Sequence, residues 1–289
     1  MAKIAEIVAS SKRPTFSIEL WPPRSPESEA KLELALPVLE QLHPTFTSIT
    51  YGAGGSTRER THDLVLRIRR ETSIEPMAHL TTAAHTKSEL VYILKRYLGA
   101  GVENILALRG DPPLNGDAKL AEGELAHAID LVQLARTVGD FSIAVAAHPE
   151  GHPDSPDLET DRKMLAKKLE LADMAITQFF FLADFYFRLV DDMDRLGISK
   201  PILPGVMAPV SVKTLERMAQ LSGSKIPDQV RERLNRASGS VEAVKAVGVE
   251  IAIELSEELL KRGAPGIHVY TMNEASTTVQ IYEGLGLGR

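Results

Sequence analysis

The chain contains no cysteine. That excludes disulfides, thiolate metal sites and cysteine nucleophiles together, and it is compatible with the cytosol. Long apolar runs are missing as well. No stretch approaches the roughly 18 residues a membrane helix needs, and Met1–Ser11 lacks the continuous apolar core of a signal peptide. The expectation is a soluble, cytoplasmic protein without a membrane partner. Nor does positive charge prevail: 33 Lys and Arg face 39 Asp and Glu, for a formal net charge of −6. No basic field exists to attract nucleic acid. The cluster Arg67-Ile68-Arg69-Arg70 sits among acids and reads as a solvated helix face. What remains is an ordinary globular composition, 44% hydrophobic and 25% charged over 289 residues, long enough for one barrel or two ordinary domains.

Short β-rich runs alternate with longer helical patterns, the signature of parallel βα units. Eight strands are expected, at Phe16–Leu20, Thr47–Tyr51, Glu75–Leu80, Asn104–Leu108, Ser142–Ala147, Ala175–Phe180, Ile202–Val206 and Gly266–Thr271. Amphipathic helical segments separate them, including Ser28–Leu42, Thr57–Arg70, Lys87–Leu98, Gly123–Val138 and Asp161–Leu171. The seventh unit carries extra helices, Val212–Leu221 and Pro227–Arg236, before an N-cap turn at Ser238-Gly239-Ser240 opens Val241–Arg262. Eight strands with eight crossovers predict an α/β fold, a (β/α)8 TIM barrel with extra helices after the seventh strand, spanning residues 1–289 as one catalytic domain. A Rossmann reading fails because the glycine cluster Gly284-Leu285-Gly286-Leu287-Gly288 has no helix after it to receive a pyrophosphate.

In such barrels the chemistry sits at the C-terminal ends of the strands. Those ends read Glu19, Thr50-Tyr51, His79, Arg109-Gly110-Asp111, His148, Gln178 and Tyr270-Thr271-Met272-Asn273, while the seventh ends in Pro204-Gly205. Any one of these is explained by a wet strand end; together they point to a site. Glu19 is the sharpest. Alternation turns Phe16, Ile18 and Leu20 toward the helices and Ser17 and Glu19 into the lumen. A carboxyl group there, followed by Trp21-Pro22-Pro23, is partly desolvated, which raises its pKa toward that of a general acid. The bland alternative is a salt bridge to Arg24 or Arg109. Gly52-Ala53-Gly54-Gly55-Ser56 reads equally as an anion-binding backbone nest or as a plain turn. His148-Pro149-Glu150-Gly151-His152 superficially resembles a zinc site, but proline and glycine preclude the helix that would put both rings on one face, so no metal is expected.

Several stretches together resemble the methylenetetrahydrofolate reductase family in its short bacterial form. They are Phe16-Ser17-Ile18-Glu19-Leu20-Trp21-Pro22-Pro23-Arg24, Ser48-Ile49-Thr50-Tyr51-Gly52-Ala53, Ala78-His79-Leu80-Thr81 and Ala107-Leu108-Arg109-Gly110-Asp111. Ala175-Ile176-Thr177-Gln178-Phe179-Phe180-Phe181, Ile202-Leu203-Pro204-Gly205 and His268-Val269-Tyr270-Thr271-Met272-Asn273 follow in the family's order. The resemblance implies a barrel that holds FAD at the strand ends and takes NADH or NADPH as co-substrate. It would reduce 5,10-methylenetetrahydrofolate to 5-methyltetrahydrofolate, a step in one-carbon metabolism that supports methionine biosynthesis. It implies Glu19 as the acid and Asp111 as the residue holding the pterin ring. Thr50, His79, Leu108, Arg109, Gly110, Asp161 and Lys168 become flavin contacts, and Gln178, Tyr270 and Met272 folate contacts. Where the family carries two flavin-lining tyrosines this chain has His127 and His148. Met164 and Lys167 replace an asparagine and an arginine, Val212 a substrate-stacking phenylalanine, and Glu274 an arginine near the folate tail. These departures leave open a barrel that passes hydride directly from the nicotinamide. Two readings of other classes also stand: a metal-dependent hydrolase using His79, His148 and His152, and a non-catalytic folate-binding barrel. Partners are expected to be small folate and nicotinamide molecules, with homo-oligomerisation left open.

Overall fold

A computed structural model describes residues 3–52, 58–110 and 123–287. Asp111, Pro112-Pro113 and most of the glycine-rich segment after strand two lie outside the described residues. The strands are β1 (Thr15–Leu20), β2 (Thr47–Ile49), β3 (Pro76–Thr81), β4 (Asn104–Leu108), β5 (Ser142–Ala147), β6 (Met174–Thr177), β7 (Ile202–Leu203), β8 (Gly205–Val206) and β9 (Gly266–Tyr270). All pair in parallel, in the order β7-β6-β5-β4-β3-β2-β1-β9-β8.

β7 and β8 are one expected strand broken at Pro204, which has no N–H to give to the ladder. β7 pairs with β6 and β8 with β9, so the segment 202–206 joins the two ends of the sheet into a ring. The barrel expected from the alternation is therefore present. β6 is shorter than expected because Gln178 leaves the ladder after donating its N–H to Ala147 O at 2.8 Å.

The helices among the described residues are α1 (Ile4–Ser10), α2 (Pro26–Glu40), α3 (Arg58–Glu71), α4 (Lys87–Gly99), α5 (Ala128–Val138), α6 (Leu158–Leu171), α7 (Ala183–Arg195), α8 (Val212–Ser222), α9 (Asp228–Arg236), α10 (Val241–Lys261) and α11 (Ala275–Gly284). Their starts follow local rules. Ser25 caps α2 ahead of Pro26, Thr86 and Glu89 form a reciprocal box at α4, and Ser240 caps α10 as the sequence suggests.

Phe16, Ile18 and Leu20 do turn outward, into a shell with Leu32, Leu36, Leu39 and Leu64 from the surrounding helices. Each such fully buried aliphatic side chain contributes about 1.5–3 kcal/mol. The lumen has its own core of Phe46, Met77, Leu106, Ala144, Met174, Ile176 and Leu203, closed at one end by Ile4, Ala5 and Val8 of α1. That short helix has too few turns to show a clear period in the sequence. Asn104 Oδ1 and Ser142 Oγ, from the strand starts, accept from its first N–H groups at 2.9 and 3.2 Å. A third cluster binds the extra helices to the other end, where Phe179 and Phe181 meet Leu215, Val230, Leu234 and Val244.

Candidate active site

At the C-terminal ends of the strands lies a cavity of about 710 Å³, within the range of small-molecule and cofactor sites. Eight of the expected residues line it: Glu19, Thr50, His79, Leu108, His148, Gln178, Tyr270 and Met272. Glu19 is 8% exposed, and no lysine or arginine among the described residues pairs with it. Trp21 Nε1 donates to its Oε1 at 3.2 Å, and Ser48 Oγ stands 3.4 Å from Oε2. Burial pushes the carboxyl pKa up to about 8, against the opposing pull of the Trp21 N–H. The salt bridge to Arg24 or Arg109 is absent: Arg24 lines the cavity unattached to Glu19, and Arg109 reaches Asp154 at 2.8 Å.

His79 Nε2 approaches Glu19 Oε2 to 3.5 Å but makes no hydrogen bond of good geometry, and it is a buried polar atom without a partner. Desolvation lowers its pKa to about 3, so it is a neutral imidazole beside a protonated acid. His148 is also driven down to about 3, first by burial and then by His152, whose ring lies edge-on at 4.6 Å. Among the described residues no group of three or more His, Asp or Glu is placed to hold a metal ion. No helix there is long and apolar enough to cross a membrane.

Two glycines allow the strands to approach this site. Gly110 holds φ +84°, where a Cβ would strike Thr81. A Cβ on Gly205 would collide with Thr177 O and the Tyr270 ring, whose hydroxyl donates to that same carbonyl. At the mouth, Met272 and Asn273 both adopt left-handed backbone, with φ 50° and 61°, an arrangement that costs energy outside glycine and clusters at functional sites. Asn273 repays part of this strain by a reciprocal pair with Trp21, accepting from its N–H and donating to its carbonyl, both at 2.9 Å. Sequence reasoning set Trp21 beside Glu19 and Asn273 among the strand-end residues but foresaw no contact between them, although asparagine's tolerance of this conformation was a usable signal.

Arg109, Gly110, His127, Asp161, Lys168 and Val212 do not line the cavity. Lys168 stands behind its wall, donating to Ala146 O at 2.9 Å, and Asp161 accepts from His152 N at 3.2 Å. Buried Arg162, which the sequence did not single out, shapes this wall. It donates to His148 O and Pro149 O and pairs with Asp161 and Asp192. His127 is the exposed N-cap of α5, and Val212 opens α8 in the cluster beyond the site. Met164 and Lys167 lie exposed on α6. Glu274 lines the cavity and pairs with Lys245 at 3.5 Å.

Residues 3–286 match the model of the family described as methylenetetrahydrofolate reductase. The chain belongs to the methylenetetrahydrofolate reductase family. It is 36% identical over 273 residues to the 5,10-methylenetetrahydrofolate reductase of Escherichia coli, covering 94% of this chain and 90% of that protein. It is 35% identical to methylenetetrahydrofolate reductase (NADH) 1 of Arabidopsis thaliana, with 97% of this chain covered but 50% of the plant protein, so it spans half the length of that relative. Among solved structures, a Clostridium thermocellum protein that binds two copies of 5-methyl-5,6,7,8-tetrahydrofolic acid superposes with a TM-score of 0.67. It covers 99% of this chain and 100% of that one at 15% identity, a likeness of fold alone.

Proposed function

We propose that the protein reduces 5,10-methylenetetrahydrofolate to 5-methyltetrahydrofolate with hydride from NAD(P)H, and that Glu19 is the general acid. One observation carries this reading. A carboxyl group with a pKa near 8 and no cationic partner among the described residues faces a cavity large enough for a folate ring. Opening the bridged methylene requires a proton on the departing nitrogen and leaves an iminium carbon to accept hydride. At neutral pH Glu19 still carries the proton that this step needs, and its pKa is close to the optimum for an acid working there. Trp21 holds Oε1, which leaves Oε2 as the oxygen that bears the proton. Tyr270 and Met272, beside Glu19 on β9 and just after it, and Gln178 after β6 orient the substrate, and Asp111 is read from the family resemblance as the group that holds the pterin.

The residues present fit a flavin. An unpartnered imidazole nitrogen on His79 and the apolar Leu106, Leu108 and Ile176 line one cavity, the mixture expected of a flat heterocycle's site. Thr50, His79, Leu108, Arg109 and Gly110 would hold it, with Asp161 and Lys168 supporting the wall behind. Held there, a flavin would supply hydride-transfer chemistry between the nicotinamide and the substrate carbon. The name of the Arabidopsis relative specifies NADH, which supports NADH as the donor. A second reading omits the flavin and draws support from His127, Met164 and Lys167, which replace residues that the resemblance assigns to the flavin and are exposed. Absorbance near about 450 nm in the untreated protein selects the first, and NADH-dependent turnover without it the second.

Glu19→Gln tests the acid role in either case. The expected result is a fall in kcat of at least about a hundredfold with substrate still bound, and undiminished turnover would refute the assignment.

A further inference from the structure

Beneath Glu19 the lumen holds a row of polar atoms that this reaction does not itself require. Ser48 Oγ is 3.4 Å from Glu19 Oε2 and 3.0 Å from His268 Nε2. On the other side of the ring, His268 Nδ1 is 2.8 Å from Ser17 Oγ, which in turn lies 3.3 Å from the backbone carbonyl of Ile267. Ser17, Ser48 and His268 are wholly buried, and His268 stacks on Phe46 with ring centroids 5.3 Å apart. Neither Ser48 nor His268 lines the cavity.

The direction of these bonds turns on which acceptor takes the single Ser17 hydroxyl proton, Ile267 O or His268 Nδ1. Ile267 O can only accept, whereas His268 Nδ1 can also donate, and both contacts of Ser17 are met together when its proton goes to Ile267 O. The Ser17 oxygen then presents a lone pair to His268 and accepts from an Nδ1–H. Burial keeps His268 neutral, with its pKa lowered to about 3, so a ring protonated at Nδ1 has a bare Nε2. That nitrogen accepts the hydroxyl proton of Ser48. With its proton committed, Ser48 turns a lone pair toward Glu19.

We infer that Ser17, His268 and Ser48 form a one-way hydrogen-bond chain that makes Ser48 an acceptor toward Glu19 and holds that carboxyl group in its acid form. A hydroxyl that donated to Glu19 would stabilise the carboxylate, whereas one that accepts stabilises the protonated group. Trp21 completes the arrangement, because its N–H suits the carbonyl-type Oε1 and leaves Oε2 to carry the proton. The other titratable groups facing Glu19 do not reverse this. His79 on β3 is neutral, and Tyr270 on β9 donates to Thr177 O. After Glu19 releases its proton, the carboxylate meets a lone pair at Ser48, which favours return of a proton from solvent. Ser48 and His268 are thus positioning residues acting through Glu19. Their functional meaning rests on the proposed acid role, but the chain itself does not.

The test measures proton positions without turnover. In protein carrying 15N-labelled histidine, His268 is expected to stay neutral with its proton on Nδ1 from about pH 5 to pH 9. The Glu19 carboxyl, followed by 13C shift, is expected to titrate about half a unit to one unit lower in Ser48→Ala, the effect of one lost hydrogen bond, and by less in Ser17→Ala. The alkaline limb of kcat should move with it while KM stays. A midpoint that rises or does not move in Ser48→Ala overturns the chain, and so does a His268 proton found on Nε2 in the wild type, a result that needs no variant to fold. If Glu19 shifts downward as expected yet Glu19→Gln retains full turnover, the acid role fails and the chain stands.

Discussion

The two ends of this barrel are built from the same strands and treat polar groups in opposite ways. At the N-terminal end, Asn104 and Ser142 meet the first N–H groups of α1, and Phe46, Met77 and Leu203 fill the space above it. At the C-terminal end, among the described residues, a carboxyl group is buried without a cation, an imidazole nitrogen has no partner, and two residues hold left-handed backbone. The first end is satisfied and closes the fold; the second is left short of partners where a substrate would supply them. The lesson is that unmet bonding capacity, more than polarity, distinguishes the chemical end.

The largest effect is expected where the two ends meet. Phe46 is fully buried and stacks on His268. Phe46→Ala should lower unfolding free energy by about 3–5 kcal/mol in urea titration, because the rigid ring of strands cannot collapse onto the cavity left behind. A loss below about 1 kcal/mol would show the lumen to be loosely packed and the two ends to be independent.

The chemical end should also be visible as a pH slope. Glu19 has a folded pKa of about 8, above its ordinary 4.5, so the folded state keeps a proton that the unfolded chain releases. Its contribution is complete below pH 4.5 and is lost as pH rises toward 8, about 3 kcal/mol by pH 7. His79, His148 and His268 act in the other direction. Their folded values lie near 3, below 6.5, so their contribution is present above 6.5 and is lost as pH falls toward 3. In Glu19→Gln the decline between about pH 5 and pH 8 should flatten while the acid-side loss remains. Parallel curves for the two proteins would mean that Glu19 is better solvated than its burial indicates.

Much of this was legible in the sequence, and for a physical reason. Strand alternation is a strict period of two, so the inward direction of Ser17 and Glu19 and the outward direction of Phe16, Ile18 and Leu20 follow from one register. Strand ends named the cavity's wall because a parallel barrel collects them on one face. What stayed hidden depends on contacts between residues far apart in the chain. Arg162 appears as an ordinary helix charge until the fold lays it beneath His148 and Pro149. The break at Pro204 and the short plug α1 carry little local periodicity. Whether Glu19 would be ion-paired or isolated rested on where Arg24 and Arg109 point, which only the packing decides.

The smallest expected effect sharpens the contrast from the satisfied end. Asn104 Oδ1 accepts from Ile4 N at 2.9 Å and its Nδ2 donates to Glu75 Oε1 at 3.2 Å, inside a region with no exposed surface at Asn104. Asn104→Ala leaves the Ile4 N–H in an apolar setting without its acceptor, which should cost about 1–3 kcal/mol. Because α1 lies at the end of the lumen away from the cavity, kcat and KM should not change at temperatures where the variant is folded. Glu19→Gln should show the reverse pattern, with turnover lost and the fold retained. If Asn104→Ala instead lowered kcat in step with stability, the plug would be setting the geometry of the chemical end through the Met77 and Leu106 layer, and the two ends would have to be treated as one mechanical unit.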